Sequence, residues 1–257
     1  MKREESRFAE SCIFEGMVSF RALIRSMESG ISDRKIIRVI YDKSREKKIA
    51  GHLSYIKAMS FKYNFELQAV TPEEIENTAI GTSHGGILIY TTSRELDKLS
   101  ADKIKPDGFY VMLDGIEDPY NFGYAVRSVY ASGADGIILS ERNWMSAAGV
   151  VCRSSAGASE EIGIFVASPE DCIDTFKKAG YKVACADIEN SVSVYDADMR
   201  KPVLLIVGGE KRGLSKYVCE NADITVRLDY GREFNEALSA ASAASILAFE
   251  VFRQSRD

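Results

Sequence analysis

The spacing of apolar and polar positions predicts strands and helices in alternation along the whole chain. In the first part, strands are expected at residues 35–41, 65–70 and 86–90, and helices at residues 14–28, 47–62 and 72–77. A polar stretch that contains one proline, residues 93–107, comes next and is interpreted as a joint between domains. The pattern therefore predicts a small α/β domain over residues 1–98.

Beyond the joint, strands are expected at residues 109–113, 136–139, 162–166, 181–186, 203–207 and 224–228. One intervening helix has Ser168 as N-cap, Pro169 at its first position, Asp171 as the acid of a capping box and Gly180 after its end. A long Ala- and Ser-rich helix over residues 236–254 could pack closely against a helix of this subunit or of a partner. Such alternation predicts a mostly parallel sheet with helices on both faces, over residues 107–257.

Composition excludes several classes of protein. The chain has 257 residues, of which 46% are hydrophobic and 28% charged, with only 5 Pro. This excludes a disordered chain and a fibrous repeat. No apolar run reaches the roughly 20 residues that cross a bilayer, and the N-terminus is too charged for a signal peptide. We therefore expect a soluble, cytoplasmic protein without a membrane partner.

Two residue types argue against a metal site. The five cysteines form no C-x-x-C pair, and the only histidines are His52 and His84. The ligand spacing of zinc sites is absent, so the cysteines are expected to be free thiols that mostly pack in the core. No metal is expected.

The net charge is −5, but residues 34–48 contain seven basic and two acidic residues. Two interpretations are open. The segment is either a solvated face or a patch that contacts the phosphates of a nucleic acid through residues such as Arg34, Lys35 and Arg38.

Three segments carry candidate chemistry. Residues 81–85 match the nucleophile pattern G-x-S-x-G, but a strand follows the serine where a hydrolase needs a helix, which favours a plain turn. Gly208 and Gly209 follow a buried strand and form either a tight turn or bare backbone on which a cofactor lies. Asn121 is a natural helix N-cap, and with Arg127 it could instead hold a phosphate or a hydroxyl at the mouth of the sheet.

Together, these segments resemble the three motifs of the SpoU/TrmH-type RNA 2′-O-ribose methyltransferases, a group of the SPOUT superfamily. The motifs are Asp118-Pro-Tyr-Asn-Phe-Gly with Arg127, then Gly208-Gly-Glu-Lys-Arg-Gly-Leu, then a final helix with Ala-Ala-Ser-Ile-Leu-Ala-Phe-Glu250. Their order and spacing match over about residues 107–257. Residues 16–24 and 83–89 are similar to the ribosomal-protein-like domain that binds substrate in many members.

The resemblance implies an S-adenosylmethionine-dependent α/β enzyme with a C-terminal trefoil knot, active as a homodimer on RNA. It implies Arg127 beside the target 2′-hydroxyl as base or proton relay, with Asn121 and Glu210 ordering the site. Ribosomal RNA is the expected substrate, because the compact transfer-RNA members generally lack the N-terminal domain; transfer RNA is the alternative. The implied cofactor contacts are Ile206, Val207, Gly208, Gly209, Gly213, Val226, Leu228 and Leu238.

The third motif departs from the family pattern. Ala237-Leu238-Ser239 stands where the family has Ser-Leu-Asn, and the loop before it is a few residues longer. Asn235 from this loop is a possible substitute for the missing amide, and Arg232 is either an RNA contact or a solvated charge. The departure leaves open an alternative function, a catalytically silent RNA-binding protein that retains the fold.

Overall fold

The computed structural model describes residues 12–141, 144–234 and 236–256, so Asn235 lies outside the described residues. The strands within these ranges are β1 (Ile13–Glu15), β2 (Ile36–Asp42), β3 (Glu66–Val70), β4 (Ile87–Thr91), β5 (Asp97–Lys98), β6 (Phe109–Asp114), β7 (Gly136–Leu139), β8 (Gly163–Val166), β9 (Lys182–Ala186), β10 (Val192–Ser193), β11 (Val203–Gly208) and β12 (Ile224–Arg227).

The α-helices within the same ranges are α1 (Gly16–Ser29), α2 (Ala50–Tyr63), α3 (Pro72–Thr78), α4 (Pro119–Ala131), α5 (Ala148–Ser154), α6 (Ala158–Glu161), α7 (Pro169–Lys178), α8 (Lys216–Asn221) and α9 (Ala240–Gln254). No helix in the described part of the chain is long and apolar enough to span a membrane.

The described residues form two compact units. The first comprises residues up to Glu95 together with Met145–Glu161, and the second comprises Leu96–Trp144 and the chain from Ile162 onward. The sequence-based division into residues 1–98 and 107–257 differs at two places, because it assigns residues 145–161 to the second domain and residues 96–98 to the first.

The first unit is built on a four-stranded sheet in the order β1-β4-β2-β3. Strands β2 and β3 are parallel, and β4 is antiparallel to both β1 and β2. Helix α1 is amphipathic and contributes Phe20 to a core that also contains Phe14, Val39, Ile56 and Ile89. The expected helix over residues 14–28 begins two residues later, because Phe14 belongs to β1 and pairs with Ile89. The mixed α/β character expected for this part of the chain is confirmed.

Residues 145–161 pack in the first unit through charged pairs. Helix α5 contacts β1, and α6 contacts α1. Arg153 Nη1 lies 2.6 Å from Glu15 Oε2, and Arg25 Nη2 lies 2.6 Å from Glu161 Oε1. The periodicity of apolar residues carries no information on such pairs, since their partners are more than a hundred positions apart in the sequence.

The second unit contains an eight-stranded sheet in the order β10-β12-β9-β11-β6-β7-β8-β5, and every neighbouring pair is parallel. On one face, Tyr110 and Met112 of β6 pack with Phe176 of α7 and Val218 of α8. Because side chains alternate along a strand, the intervening residues point to the other face. Helix α9 contacts β11 and packs against α4 there. The expected parallel sheet with helices on both faces is confirmed.

Two further boundaries differ from the sequence prediction. The polar stretch 93–107 contains β5, which pairs with β8 and forms the edge of the second sheet, so the second unit begins within this stretch, at Leu96. The last helix begins at Ala240 and not at residue 236, because Ser239 is its N-cap and accepts a hydrogen bond from Ser242 N at 3.2 Å. The cap predicted at Ser168 is present and accepts from Asp171 N at 3.1 Å.

Candidate active site

The three candidate motifs meet at one edge of the second sheet. Strands β6 and β11 are neighbours, and their last residues, Asp114 and Gly208, are paired. Helix α4 begins a few residues after β6, and a glycine-bearing loop follows β11. Open parallel sheets bind ligands outside the carboxyl ends of their strands, so this edge is the expected place for a site.

The start of helix α4 is capped by Asp118. Its Oδ1 accepts a hydrogen bond from Asn121 N at 2.7 Å, and Pro119 occupies the first turn. The sequence-based assignment of Asn121 as N-cap is therefore wrong. An Asp-Pro pair is itself a helix-start signature, and it would have located the cap correctly. The consequence is that the Asn121 side chain is not needed for the cap and is available for a contact outside its own helix.

Glu210 joins all three motifs. Its Oε1 accepts a hydrogen bond from Asn121 Nδ2 at 3.3 Å and another from Ala240 N at 3.0 Å. The Ala240 amide belongs to the first turn of α9, where backbone N–H groups have no partner within the helix and favour negative charge. One carboxylate thus connects α4, the glycine loop and α9.

The glycines of the loop are required by its own backbone. A Cβ on Gly209 would collide with the carbonyl oxygen of Gly115, and one on Gly208 would lie 2.7 Å from the carbonyl carbon of Gly213. Of the two interpretations of these glycines, the tight turn is confirmed, and a cofactor lying on their backbone stays a prediction. Gly213 has a φ of +59° and donates its N–H to Gly209 O at 3.0 Å, which closes the turn.

Arg127 lies two turns into α4 and is exposed. Its guanidinium forms no hydrogen bond or ion pair with any residue of the described ranges. Tyr124 and Tyr130 lie three positions before and after it, on the same side of the helix, and are 49% and 40% exposed. Arg127 therefore presents a fixed positive charge on a surface flanked by two aromatic rings.

The predicted cofactor contacts fall at the ends of β11 and β12. Ile206 and Val207 are buried within β11, and Val226 is buried in β12. The pairing of β11 with β9 ends at Ile206 and Cys185, so Val207 and Gly208 extend beyond it along that edge. Leu228 follows β12 and is half-buried. The last two residues of β11 therefore lie outside its pairing with β9, and their contact with a cofactor stays a prediction.

The loop before α9 lines a widely open cavity of about 510 Å³. The rings of Tyr230 and Phe234 lie 5.8 Å apart in its wall, and the Tyr230 hydroxyl accepts from Leu238 N at 3.3 Å. Of the predicted cofactor contacts, only Leu238 lines this cavity, and Arg232 is an exposed lining residue. No sequence signal pointed to Tyr230.

The structure corrects one predicted RNA contact. Arg34 is only 3% exposed, and its Nε lies 3.1 Å from Glu160 Oε2 in a fully buried ion pair. It also donates to Thr92 O at 2.8 Å, so it cannot reach a phosphate. Lys35 is exposed, whereas Arg38 is half-buried with its guanidinium 4.5 Å from the ring centre of Tyr90.

The turn predicted at residues 81–85 is present and leads into β4. His84 is buried there, and its Nδ1 accepts a hydrogen bond from Gly86 N at 3.1 Å. A strand follows the serine, so the strand-turn-helix arrangement of a hydrolase nucleophile is absent from this segment. The described residues contain no cluster of side chains that could hold a metal ion.

These features define an α/β protein whose second unit has a parallel sheet, with a candidate ligand site at the carboxyl edge of that sheet, beside a glycine-bearing loop. Residues 108–249 match the model of the SpoU rRNA Methylase family. The chain belongs to this family, and the resemblance seen in the three motifs is confirmed.

Individual relatives agree with this assignment. The chain is 28% identical over 233 residues to a protein of Staphylococcus saprophyticus described as a TrmH family tRNA/rRNA methyltransferase, covering 88% of this chain and 92% of that one. It is similar in structure to the AdoMet-bound rRNA methyltransferase of Sinorhizobium meliloti, with a TM-score of 0.76, 25% identity, and 94% and 86% of the two chains covered. It also shares the fold of a protein described as an RNA 2′-O ribose methyltransferase, with a TM-score of 0.75, 20% identity, and 94% and 88% covered. The expected cofactor, S-adenosylmethionine, is thus the one bound in the relative from Sinorhizobium meliloti.

Proposed function

We propose that the protein is an S-adenosylmethionine-dependent methyltransferase that modifies a ribose 2′-hydroxyl, in ribosomal RNA. The observation that carries this proposal is the position of the Glu210 carboxylate. By binding both Asn121 and the first turn of α9, it assembles the three family motifs at the carboxyl edge of the sheet. The family assignment and the rRNA methyltransferase among its relatives support the choice of substrate.

The residues at this edge fit the cofactor. Val207 and Gly208 extend past the last residue paired with β9, and Leu228 follows β12 at the same end of the sheet. We propose that the backbone here and in the loop at Gly209 and Gly213 holds the nucleoside, with Leu238 at the start of α9. When bound, S-adenosylmethionine supplies a methyl group activated by its sulfonium.

The protein's own part is to position and stabilise the reacting hydroxyl. Arginine stays protonated in proteins, so we assign Arg127 a fixed positive charge and a donor fork, not the role of a base. Placed against the RNA, this charge would hold a phosphate and stabilise negative charge that develops on the ribose oxygen. Asn121 is held by Glu210 and orders the turn of α4 that precedes Arg127.

We further propose that the protein acts as a homodimer through the exposed face of α4 and α9. Ile246, Phe249 and Phe252 of α9 are 38%, 45% and 42% exposed, an unusual apolar surface for one helix. The hydroxyls of Ser245 and Ser128 form a hydrogen bond, with their oxygens 2.6 Å apart, and this bond holds α9 against α4, which carries Arg127. A monomer in sedimentation at micromolar concentration would contradict this proposal.

The expected trefoil knot is also proposed for this protein. An experimental structure with an unthreaded backbone between β11 and α9 would overturn it.

The test is methyl transfer from S-adenosylmethionine labelled in its methyl group to purified RNA. Ribosomal and transfer RNA are compared. The modified nucleotide is mapped by its resistance to alkali, because alkali cleaves RNA only where the 2′-hydroxyl is free. Label in alkali-resistant ribosomal RNA is expected. Label on transfer RNA alone would show that the substrate is transfer RNA and not ribosomal RNA. RNA binding without transfer and without calorimetric heat of cofactor binding would instead indicate a silent RNA-binding protein.

A further inference from the structure

A second cavity lies in the first unit, between α2 and the strands β2 and β3. Its volume is about 580 Å³. Residues from all three elements line it, and those on which the inference depends are Tyr41, Glu46, Leu53, Lys57, Phe61 and Leu67. None of these residues belongs to the candidate active site.

The helix that forms one wall of this cavity is poorly covered. Among the 14 residues of α2, only Ile56 is buried. Phe61 is 78% exposed, the largest exposure of any large apolar side chain in the described residues. Leu53 and Leu67 are half-buried and form an apolar floor beside it. An exposed ring next to an apolar floor is a surface on which a flat ring can stack.

One cation lines the cavity, and others lie on the segment that leads into its helix. Lys57 is a lining residue, and Lys43, Lys47 and Lys48 are exposed on the segment before α2, which also supplies the lining residue Glu46. Arg45 is also exposed, and it lies 3.3 Å from the buried carboxylate of Asp42. Glu46 is the one acidic side chain among the cavity's lining residues. The lining charges of Lys57 and Glu46 balance, but the adjoining segment 43–48 carries four basic residues and one acidic one. This local excess of cations favours a polyanion over an apolar protein segment as the occupant.

We propose that this cavity binds an unstacked base of a single-stranded RNA segment, with Phe61 stacking on the base and the surrounding lysines contacting phosphates. Aromatic stacking with a cationic rim is the usual means by which proteins hold single-stranded nucleic acid. The carboxylate of Glu46 accepts from an amino group of the base, which favours cytosine over uracil. The inference rests on the proposed function in taking RNA as the ligand, and it adds where and how RNA is recognised.

The test uses the full chain without S-adenosylmethionine and fluorescent oligocytidine and oligouridine of about 12 nucleotides. Phe61→Ala is expected to weaken binding of both by at least about fivefold, without changing the slope of affinity against salt. Phe61→Trp keeps a stacking ring and should bind nearly as the wild type does. Lys47→Gln should lower the salt slope, and Glu46→Gln should remove the preference for oligocytidine. Ile31→Ala, an exposed apolar residue of the same unit outside the cavity, is the control.

The proposal is overturned if Phe61→Ala binds the oligonucleotides as tightly as the wild type does. It is also overturned if Phe61→Trp binds them as weakly as Phe61→Ala. So would a self-association of the protein that Phe61→Ala abolishes while RNA affinity stays unchanged, because the face would then join two copies of the chain. Binding is measured without methyl transfer, so the two proposals fail separately. If RNA binding depends on Phe61 but the protein transfers no methyl group, only the proposed function is refuted. If the protein transfers methyl groups efficiently but Phe61→Ala leaves RNA binding unchanged, only the proposed RNA-binding role of the cavity is refuted.

Discussion

Asn121 and Glu210 lie 89 positions apart in the sequence, and the carboxamide of the first donates a hydrogen bond of 3.3 Å to the carboxylate of the second. The same oxygen, Oε1, accepts the backbone N–H of Ala240 at 3.0 Å. The carboxylate therefore has two tasks, since it holds a side chain of α4 and also balances the positive end of α9. Its position explains why the three motifs are found together.

Replacement of Glu210 should affect both tasks. Glu210→Ala leaves Asn121 and the first turn of α9 without their acceptor, and we expect a loss of about 1 kcal/mol in the free energy of unfolding. Glu210→Gln retains an oxygen acceptor and should lose less. Methyl transfer should fall more steeply than stability, because Asn121 is no longer held in place. Urea unfolding and turnover are the measurements. Glu220→Ala, which removes a carboxylate from an exposed pair with Lys216, is the control. Wild-type stability and turnover in Glu210→Ala would show that the hydrogen bonds of this carboxylate contribute to neither folding nor catalysis.

The buried pair of Arg34 and Glu160 should stabilise the first unit. The two side chains are 3% and 0% exposed, so removing one leaves the other charged and without its partner in the protein interior. We expect Arg34→Ala to lower the free energy of unfolding by about 3–5 kcal/mol. The pair of Arg25 with Glu161 has the same chemistry, but Arg25 is 51% exposed, so Arg25→Ala should cost about 1 kcal/mol or less. Equal losses in the two variants, measured by urea unfolding, would contradict the role of burial.

Local signals in the sequence were sufficient for most of the fold. The cap at Ser168 was predictable because Ser168, Pro169 and Asp171 carry the whole signal within four positions. Six of the eight strands of the second sheet were equally visible, since each is an apolar run between turn residues. The two-residue strands β5 and β10 were missed, because neither is long enough to show an apolar pattern. The parallel order of the strands follows from their alternation with helices.

Contacts between distant segments were not predictable in this way. Arg34 looked like part of a basic patch because its partner, Glu160, lies 126 positions later. The link from Glu210 to Ala240 depends on where α9 begins, and the helical pattern alone placed that start at residue 236. The motif resemblance indicated that Asn121 and Glu210 belong to one site. The hydrogen bonds that join them required the structure.

Stability should depend on pH through Glu250 in α9. Its carboxylate accepts from Arg253 Nη2 at 2.7 Å and Arg253 Nε at 2.8 Å, and from Gln254 Nε2 at 2.7 Å. The hydrogen bond from Arg253 is the main cause that holds the pKa of Glu250 below its ordinary value, and the bond from Gln254 adds to it. A carboxyl whose pKa is lowered by folding stabilises the protein above its unfolded pKa of about 4.3, and this stabilisation is lost as the pH falls through the folded pKa.

Glu250→Gln should therefore unfold at a lower temperature than the wild type at pH 7, because the charged contact with Arg253 is lost. The difference should shrink as the pH falls below the unfolded pKa of about 4.3, and it should vanish below the lowered folded pKa, where the carboxyl of the folded wild type is also neutral. The melting midpoint measured across this range is the test. Glu189→Gln is the matched control, since Glu189 is exposed and forms no ion pair within the described ranges. A difference between Glu250→Gln and wild type that stays constant with pH would assign the effect to packing and not to charge.

Replacement of Arg127 should impair methyl transfer without destabilising the fold. Its side chain is exposed and has no partner in the described part of the chain, so Arg127→Ala should leave the free energy of unfolding and the heat of S-adenosylmethionine binding near wild-type values. Methyl transfer to RNA should fall about 10²-fold or more, because the charge that stabilises the ribose oxygen is gone. Arg127→Lys keeps the charge but loses the planar donor fork, so intermediate turnover is expected. Arg200→Ala, which removes a 69% exposed arginine paired with Asp198, should transfer methyl groups as the wild type does. Unchanged turnover in Arg127→Ala would remove Arg127 from the site and leave Glu210 and Asn121 as the residues around which the reaction must be explained.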